Sequence, residues 1–201
     1  MAMWDRLKEQ AKNLQQSQSA RGSGGHGQGQ GQGQGHSPYG QGQHGGHGQG
    51  SSSGGSKAQL IGLFKSQLAS VKTELKSGAY RDASMAMCAL VAAADGHVDP
   101  MERQRVEELI VSNEVLQNFP ADQLRQRFNQ NVDRLTANFE LGKADVLKEI
   151  AKAAKKPQEA RAVVQTGMVV AGADGHVDPS EQQAVREACA ALGISPAEFG
   201  V

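Results

Sequence analysis

The run ASMAMCALVAAA, residues 83–94, places twelve uncharged residues between Asp82 and Asp95 and constrains everything around it. A membrane-spanning helix needs about 20 predominantly apolar residues, so the run is too short to cross a bilayer. It is also apolar nearly all round, with Ala83, Ala86, Met87, Leu90, Val91 and Ala94 as its densest stripe. A helix without a polar face is stable in water only when other elements enclose it. The run therefore predicts a central core helix, starting at about Tyr80, with other helices packed around it.

Those helices are visible as apolar residues spaced by three and four. Leu60, Leu63, Phe64, Leu68, Val71 and Leu75 mark one that stops near Gly78. Val106, Leu109 and Ile110 mark the next; Leu124, Phe128 and Leu135, then Leu147, Ile150, Ala151 and Ala154, mark two more. Another starts at Pro157 with Val163, Val164, Gly167, Met168 and Ala171, and the last carries Val185, Ala188, Cys189 and Leu192. No segment alternates with period two over a useful length, and aromatic content is 4%. The expected fold class is all-α: a compact single-domain bundle of about seven to eight helices over residues 58–201.

Upstream of that domain, residues 17–57 are almost entirely Gly, Gln, Ser and His. Such a composition buries too little apolar surface to offset the entropy of ordering, so the stretch reads as a disordered linker. Its His26, His36, His44 and His47 are irregularly spaced and read as polar filler rather than as a chelating tract. In residues 1–16, Trp4, Leu7, Ala11 and Leu14 recur every three or four positions, which predicts a short amphipathic helix. It reads as a terminal helix that docks or frays; the alternative is weak contact with a membrane surface or a partner. The first residues carry charge throughout and have no signal-peptide apolar region.

ADGHVDP occurs twice, at 94–100 and 173–179, in a chain with little else repeated. Helix capping explains part of it. Asp99-Pro100-Met101-Glu102 and Asp178-Pro179-Ser180-Glu181 each present a capping aspartate, proline at the first helical position and glutamate at the third. Gly96 and Gly175 are placed to end the preceding helices. Ser195-Pro196-Ala197-Glu198 has the same cap, proline and glutamate, yet no Asp or His precedes it. Capping thus leaves Asp95-Gly96-His97 and Asp174-Gly175-His176 unexplained.

Laid on an EF-hand calcium loop, the first block puts Asp95 at position 5, Gly96 at 6, His97 at 7, Val98 at 8, Asp99 at 9 and Glu102 at 12. The back half matches. Positions 1 and 3 fall on Val91 and Ala93, which offer no side-chain oxygen, so neither copy is a complete loop. Two copies brought together would offer six carboxylates: Asp95, Asp99, Glu102, Asp174, Asp178 and Glu181. At close range these repel unless a cation sits between them. The alternative is that both blocks are helix caps and nothing more.

Two helix-AxADGxVxxxE-helix units, the lead-in FKSQLASVKTELKSGAYRDASMAMCALVAAADG and the ending ADGHVDPSEQQAVREACAALGISPAEFGV resemble the TerB family of bacterial tellurite-resistance proteins. The resemblance covers residues 58–201, and MWDRLKEQ is similar to the family's own amino-terminal stretch, displaced here by the linker. It implies a compact helical fold and a cation site on the acidic residues, carried over to Asp95, Gly96, Asp99, Glu102, Asp174, Gly175, Asp178 and Glu181. It also implies a cytoplasmic module, at most peripheral at the inner face of the membrane, that assembles with other Ter-system proteins, among them the membrane protein TerC. Calcium is the expected ion, with magnesium and zinc as the alternatives.

Other chemistry has less support. Lys+Arg and Asp+Glu are both 21, so there is no basic excess to suggest nucleic acid. Cys88 and Cys189 lie in apolar helical patterns rather than in CxxC, which fits a reducing compartment and argues against thiol chemistry on tellurite. His97 and His176, beside aspartates, read as loop residues giving a backbone oxygen rather than as transition-metal ligands. Nothing places a nucleophile beside a base, so the chain reads as a non-enzymatic binding module.

Overall fold

The computed structural model describes residues 53–174 and 176–201. The helix expected over residues 1–16 lies outside the described residues, as does the expected linker up to residue 52. Seven α-helices run through the described residues: α1 Ser53–Val71, α2 Gly78–Ala92, α3 Pro100–Ser112, α4 Ala121–Ala137, α5 Phe139–Ala151, α6 Pro157–Ala171 and α7 Pro179–Leu192. Short 3-10 turns cover Leu116–Asn118, Lys152–Lys155, Gly172–Asp174 and Pro196–Phe199. No strand occurs among the described residues, and the chain has the all-α fold that its periodicity predicts.

α2 is the centre. Every residue from 83 to 93 is buried, and the helix packs against α4, α5, α6 and α7. α6 runs beside it in the same direction. Ser77, which caps the start of α2, donates to Glu159 Oε2 in the first turn of α6 at 2.8 Å, and Met87 further along α2 presses on Gly167 further along α6. Tyr80 OH and Thr166 Oγ1 bond at 2.8 Å within this contact, and burial pushes the Tyr80 phenol up to about 12. α3 lies antiparallel on α4, held by Arg103 to Asp133 at 2.8 Å and by Asn129 to Glu107 at 2.7 Å.

Three boundaries differ from the sequence reading. α1 reaches back to Ser53, so residues 53–57 of the expected linker are helical. Its Ile61, Phe64 and Leu68 make the buried stripe, whereas Leu63 is 50% exposed. Gly78 does not end α1; it opens α2. α1 has already stopped at Val71, and the Ser77 hydroxyl accepts the Tyr80 amide, which starts the next helix there.

α4 and α5 are joined through Asn138 alone, and Gly142 makes that tight crossing possible. A Cβ on Gly142 would run into the Arg134 carbonyl oxygen and lie 2.8 Å from Leu135 Cα. Those are backbone atoms of a packed helix and have no rotamer by which to move aside. Gly142→Ala is therefore expected to lower stability by about 1–3 kcal/mol despite alanine's better helix propensity, measured by urea denaturation.

Candidate functional site

The doubled block forms the two junctions α2-to-α3 and α6-to-α7. Because α2 and α6 run in parallel, both junctions leave the bundle at the same end. They are neighbours there: Ala94, just before the first Asp-Gly-His, lines a cleft of ≈ 250 Å³ together with Phe139, Lys143, Ser180 and Glu187, and Ser180 sits in the first turn of α7.

In the first junction Gly96 has the expected left-handed conformation, φ 84°, but it does not end α2, which stops at Ala92 with Ala93 as its cap; Gly96 lies in the turn that follows. Asp95 is exposed, and its Oδ1 accepts the His97 amide at 3.0 Å, wrapping the turn around its own carboxylate. Asp99 Oδ1 accepts the Glu102 amide at 2.9 Å, as expected of an N-cap ahead of Pro100. Glu102 itself is buried, at 7% exposure.

The second junction repeats this capping with more burial. Asp178 Oδ1 accepts the Glu181 amide at 3.0 Å, and Glu181 Oε2 accepts the Asp178 amide at 2.8 Å, a reciprocal capping box. Asp178 and Glu181 are 9% and 5% exposed. Val177 is buried; its carbonyl accepts from Gln182 Nε2 at 2.9 Å and from Lys57 Nζ of α1 at 3.3 Å. His176 is exposed. The Asp174 side chain and Gly175 lie outside what is described.

The third proline-glutamate pattern departs from expectation. Ser195 makes no side-chain cap, because the Glu198 amide already bonds the Ser195 carbonyl within the 3-10 turn at 3.2 Å. Glu198 turns instead to Arg161, at 3.0 Å. Side-chain capping by this pattern therefore belongs to the two acidic junctions and not to all three.

For a cation the donor chemistry fits, since carboxylates and a turn carbonyl are the oxygens that hard divalent ions take. Capping uses one oxygen each of Asp99, Asp178 and Glu181. The arrangement is not gathered, however. Among the described residues no three His, Cys, Asp or Glu side chains form a group that could hold a metal ion.

Sequence reasoning missed Glu159, buried at 6% exposure and held between Ser77 and Lys156. Its signal was Pro157-Gln158-Glu159, again a proline-led helix start. The cysteines follow the sequence reading. Both are buried, and burial raises Cys88 to about 12 and Cys189 to about 11.

The sequence model of the family described as "Tellurite resistance protein TerB" matches residues 81–201, more than half of the chain. The match starts within the first turn of α2, so α1, which the sequence reading placed inside the resemblance, falls outside it. A protein named "Tellurium resistance protein TerB" from Alcaligenes sp is 26% identical over 93 residues, 46% of this chain and 76% of that protein. No solved structure matches the chain.

Two outcomes follow from this geometry. Asp178→Ala is expected to lower stability by about 0.5–2 kcal/mol and by more than Asp99→Ala, while Asp178→Asn, which keeps a cap oxygen, stays near wild type in urea melts. The thiol pKa values are raised above their ordinary 9.0 in the folded chain, so their contribution to stability is complete below pH 9 and is lost as pH rises toward 11 and 12. Native protein at pH 8 should accordingly leave an aromatic disulfide reagent unreduced until urea unfolds it, and a Cys88→Ala, Cys189→Ala variant should lose less stability than wild type between pH 9 and 11.

Proposed function

The chain belongs to the TerB family, and on that footing we propose that it is a binding module of tellurite resistance rather than a catalyst. A divalent cation, calcium first, would be held by Asp95, Asp99 and Glu102 of one junction with Asp174, Asp178 and Glu181 of the other. The observation that supports this reading is that both acidic junctions leave the same end of the parallel α2 and α6 pair. When bound, the ion supplies only charge: it offsets the mutual repulsion of the carboxylates.

The protein's own part is positioning. Asp99 and Asp178 are fixed by the helix starts that they cap, whereas Asp95 is exposed on its turn. Since the described acidic side chains are not gathered, binding entails movement of the loops, which is how a switch behaves rather than a permanent structural site. The surface changed by that movement is the loop-bearing end, and it is this end that we assign to assembly with other Ter-system proteins, including the membrane protein TerC. No helix among the described residues is long and apolar enough to cross a membrane, so contact with a membrane protein would be made from outside the bilayer. Action in the cytoplasm, at most peripheral to the inner face of the membrane, is part of the same proposal.

A second reading is favoured by the caps themselves. Asp99 and Asp178 both do the work of a helix start, and a scaffold whose doubled blocks only cap helices needs no ion.

Calorimetric titration of the full chain with calcium, magnesium and zinc separates the two. We expect saturable calcium binding, with stabilisation of about 2.7 kcal/mol at a free calcium concentration of 100 Kd. An Asp95→Asn, Asp174→Asn variant should lose both effects, because it keeps the Asx-type turn oxygen and removes the charge. Heat silent for all three ions leaves the scaffold reading standing.

A further inference from the structure

α1 lies outside the family match, which begins at residue 81, yet it is the helix that braces the second acidic junction. Buried Ile61 occupies the space that a Cβ on Gly172 would need: such an atom would lie 2.7 Å from Ile61 Cδ1 and 3.7 Å from Val177 Cγ2. Lys57, one turn earlier, donates from Nζ to the Val177 carbonyl at 3.3 Å. The carboxyl-terminal turn closes over the same residues, with the Phe199 ring 5.9 Å from that of Phe64 on α1. Lys57, Ile61, Met168, Val177 and Phe199 leave a cavity of only ≈ 10 Å³ between them, room for about one water molecule at most. Further along, α1 and the last turn of α3 border a groove of ≈ 420 Å³ that also reaches this junction, at Ala173.

The first junction is seated differently. Val98, the counterpart of Val177, is half-buried where Val177 is buried, and Asp99 is half-buried where Asp178 is buried. Its turn is held by bonds of short range, from the Gly96 amide to the Ala93 carbonyl at 2.8 Å and from the His97 amide to Asp95 Oδ1 at 3.0 Å. The bond from Lys57 to Val177, by contrast, joins residues 120 positions apart. We propose that α1 clamps the second junction, with Lys57 and Ile61 as positioning residues, so that two blocks of identical sequence form one fixed arm and one arm free to move. A loop tied to a packed helix opens only when those contacts break, whereas a loop held by its own turn opens locally at a lower free energy. On capture of a cation, the first arm closes toward the second. That movement presupposes the cation site proposed above; the clamp does not.

The two blocks share ADGHVDP, so the amides of residues 95–99 and 174–178 have the same intrinsic exchange chemistry, and any difference between them is structural. Hydrogen exchange at these amides is measured in the full chain, in Lys57→Met, Ile61→Ala, Gly172→Ala and the Ile61→Ala, Gly172→Ala double variant, with Leu63→Ala on the exposed face of α1 as control. In the wild type, 174–178 should exchange about tenfold or more slower than 95–99. Ile61→Ala should speed 174–178 by about tenfold and leave 95–99 at the wild-type rate. Lys57→Met, which keeps the aliphatic stem and removes only the donor, should act in the same direction by a smaller factor. Gly172→Ala should speed 174–178 by displacing Ile61, and the double variant should recover, because the new methyl fills space that the shorter side chain leaves. Equal exchange of the two blocks in the wild type overturns the clamp, as does an Ile61→Ala effect that reaches both blocks alike or that Leu63→Ala reproduces. Additive losses in the double variant overturn the role given to Ile61. Added calcium should slow 95–99 and leave 174–178 unchanged; slowing of 174–178 alone overturns the assignment of the moving arm. Calcium without effect on either block sinks the cation site and the moving arm with it, while the variants still decide the clamp.

Discussion

The last ten residues of α2, 83 to 92, and its cap Ala93 are out of water, and a helix with no polar face can exist only if it is walled in on every side. α4, α5, α6 and α7 are that wall. Their requirement to reach α2 fixes much of the rest: the small residues at Gly167 and Gly142, where side chain or backbone comes closest, the one-residue connection at Asn138, and the burial of both cysteines. The thiols are inert for the same reason that the core is stable.

The parallel course of α2 and α6 has a second effect. Helices that run in the same direction deliver their carboxyl-terminal loops to one place, so a block duplicated in sequence becomes a pair of neighbouring junctions in space. Each junction must end one helix and start the next within a few residues, which is why glycine, aspartate and proline recur in that order. Of the acidic residues there, Asp99 and Asp178 each give one carboxylate oxygen to the amide three residues on.

α1 is the link between this end and the amino-terminal chain. Lys57 bonds the Val177 carbonyl, Ile61 lies where a Cβ on Gly172 would be, and the same helix supplies one side of the ≈ 420 Å³ groove. The helix therefore touches the second acidic junction near its start and borders the groove further along. Neither relation has a local sequence signal, since both join residues more than forty positions apart.

Fold class was legible in the sequence because helical periodicity and an all-apolar run are local patterns, and so were the caps at Asp99 and Asp178, which depend on residues three positions apart. Local pattern failed where two starts competed: Gly78 looked like a stop, but Ser77 turned it into the first residue of α2, and Ser195 looked like a cap until the short turn used the Glu198 amide itself. The sequence by itself determined that this chain would be helical, that its centre would be α2, and that a doubled Asp-Gly-His-Val-Asp-Pro junction would turn one helix into the next. Only the tertiary structure decided that α2 and α6 run in parallel, that the two junctions share an end and that a groove lies between α1 and α3, because those are relations between surfaces distant in the chain, set by how whole helices pack.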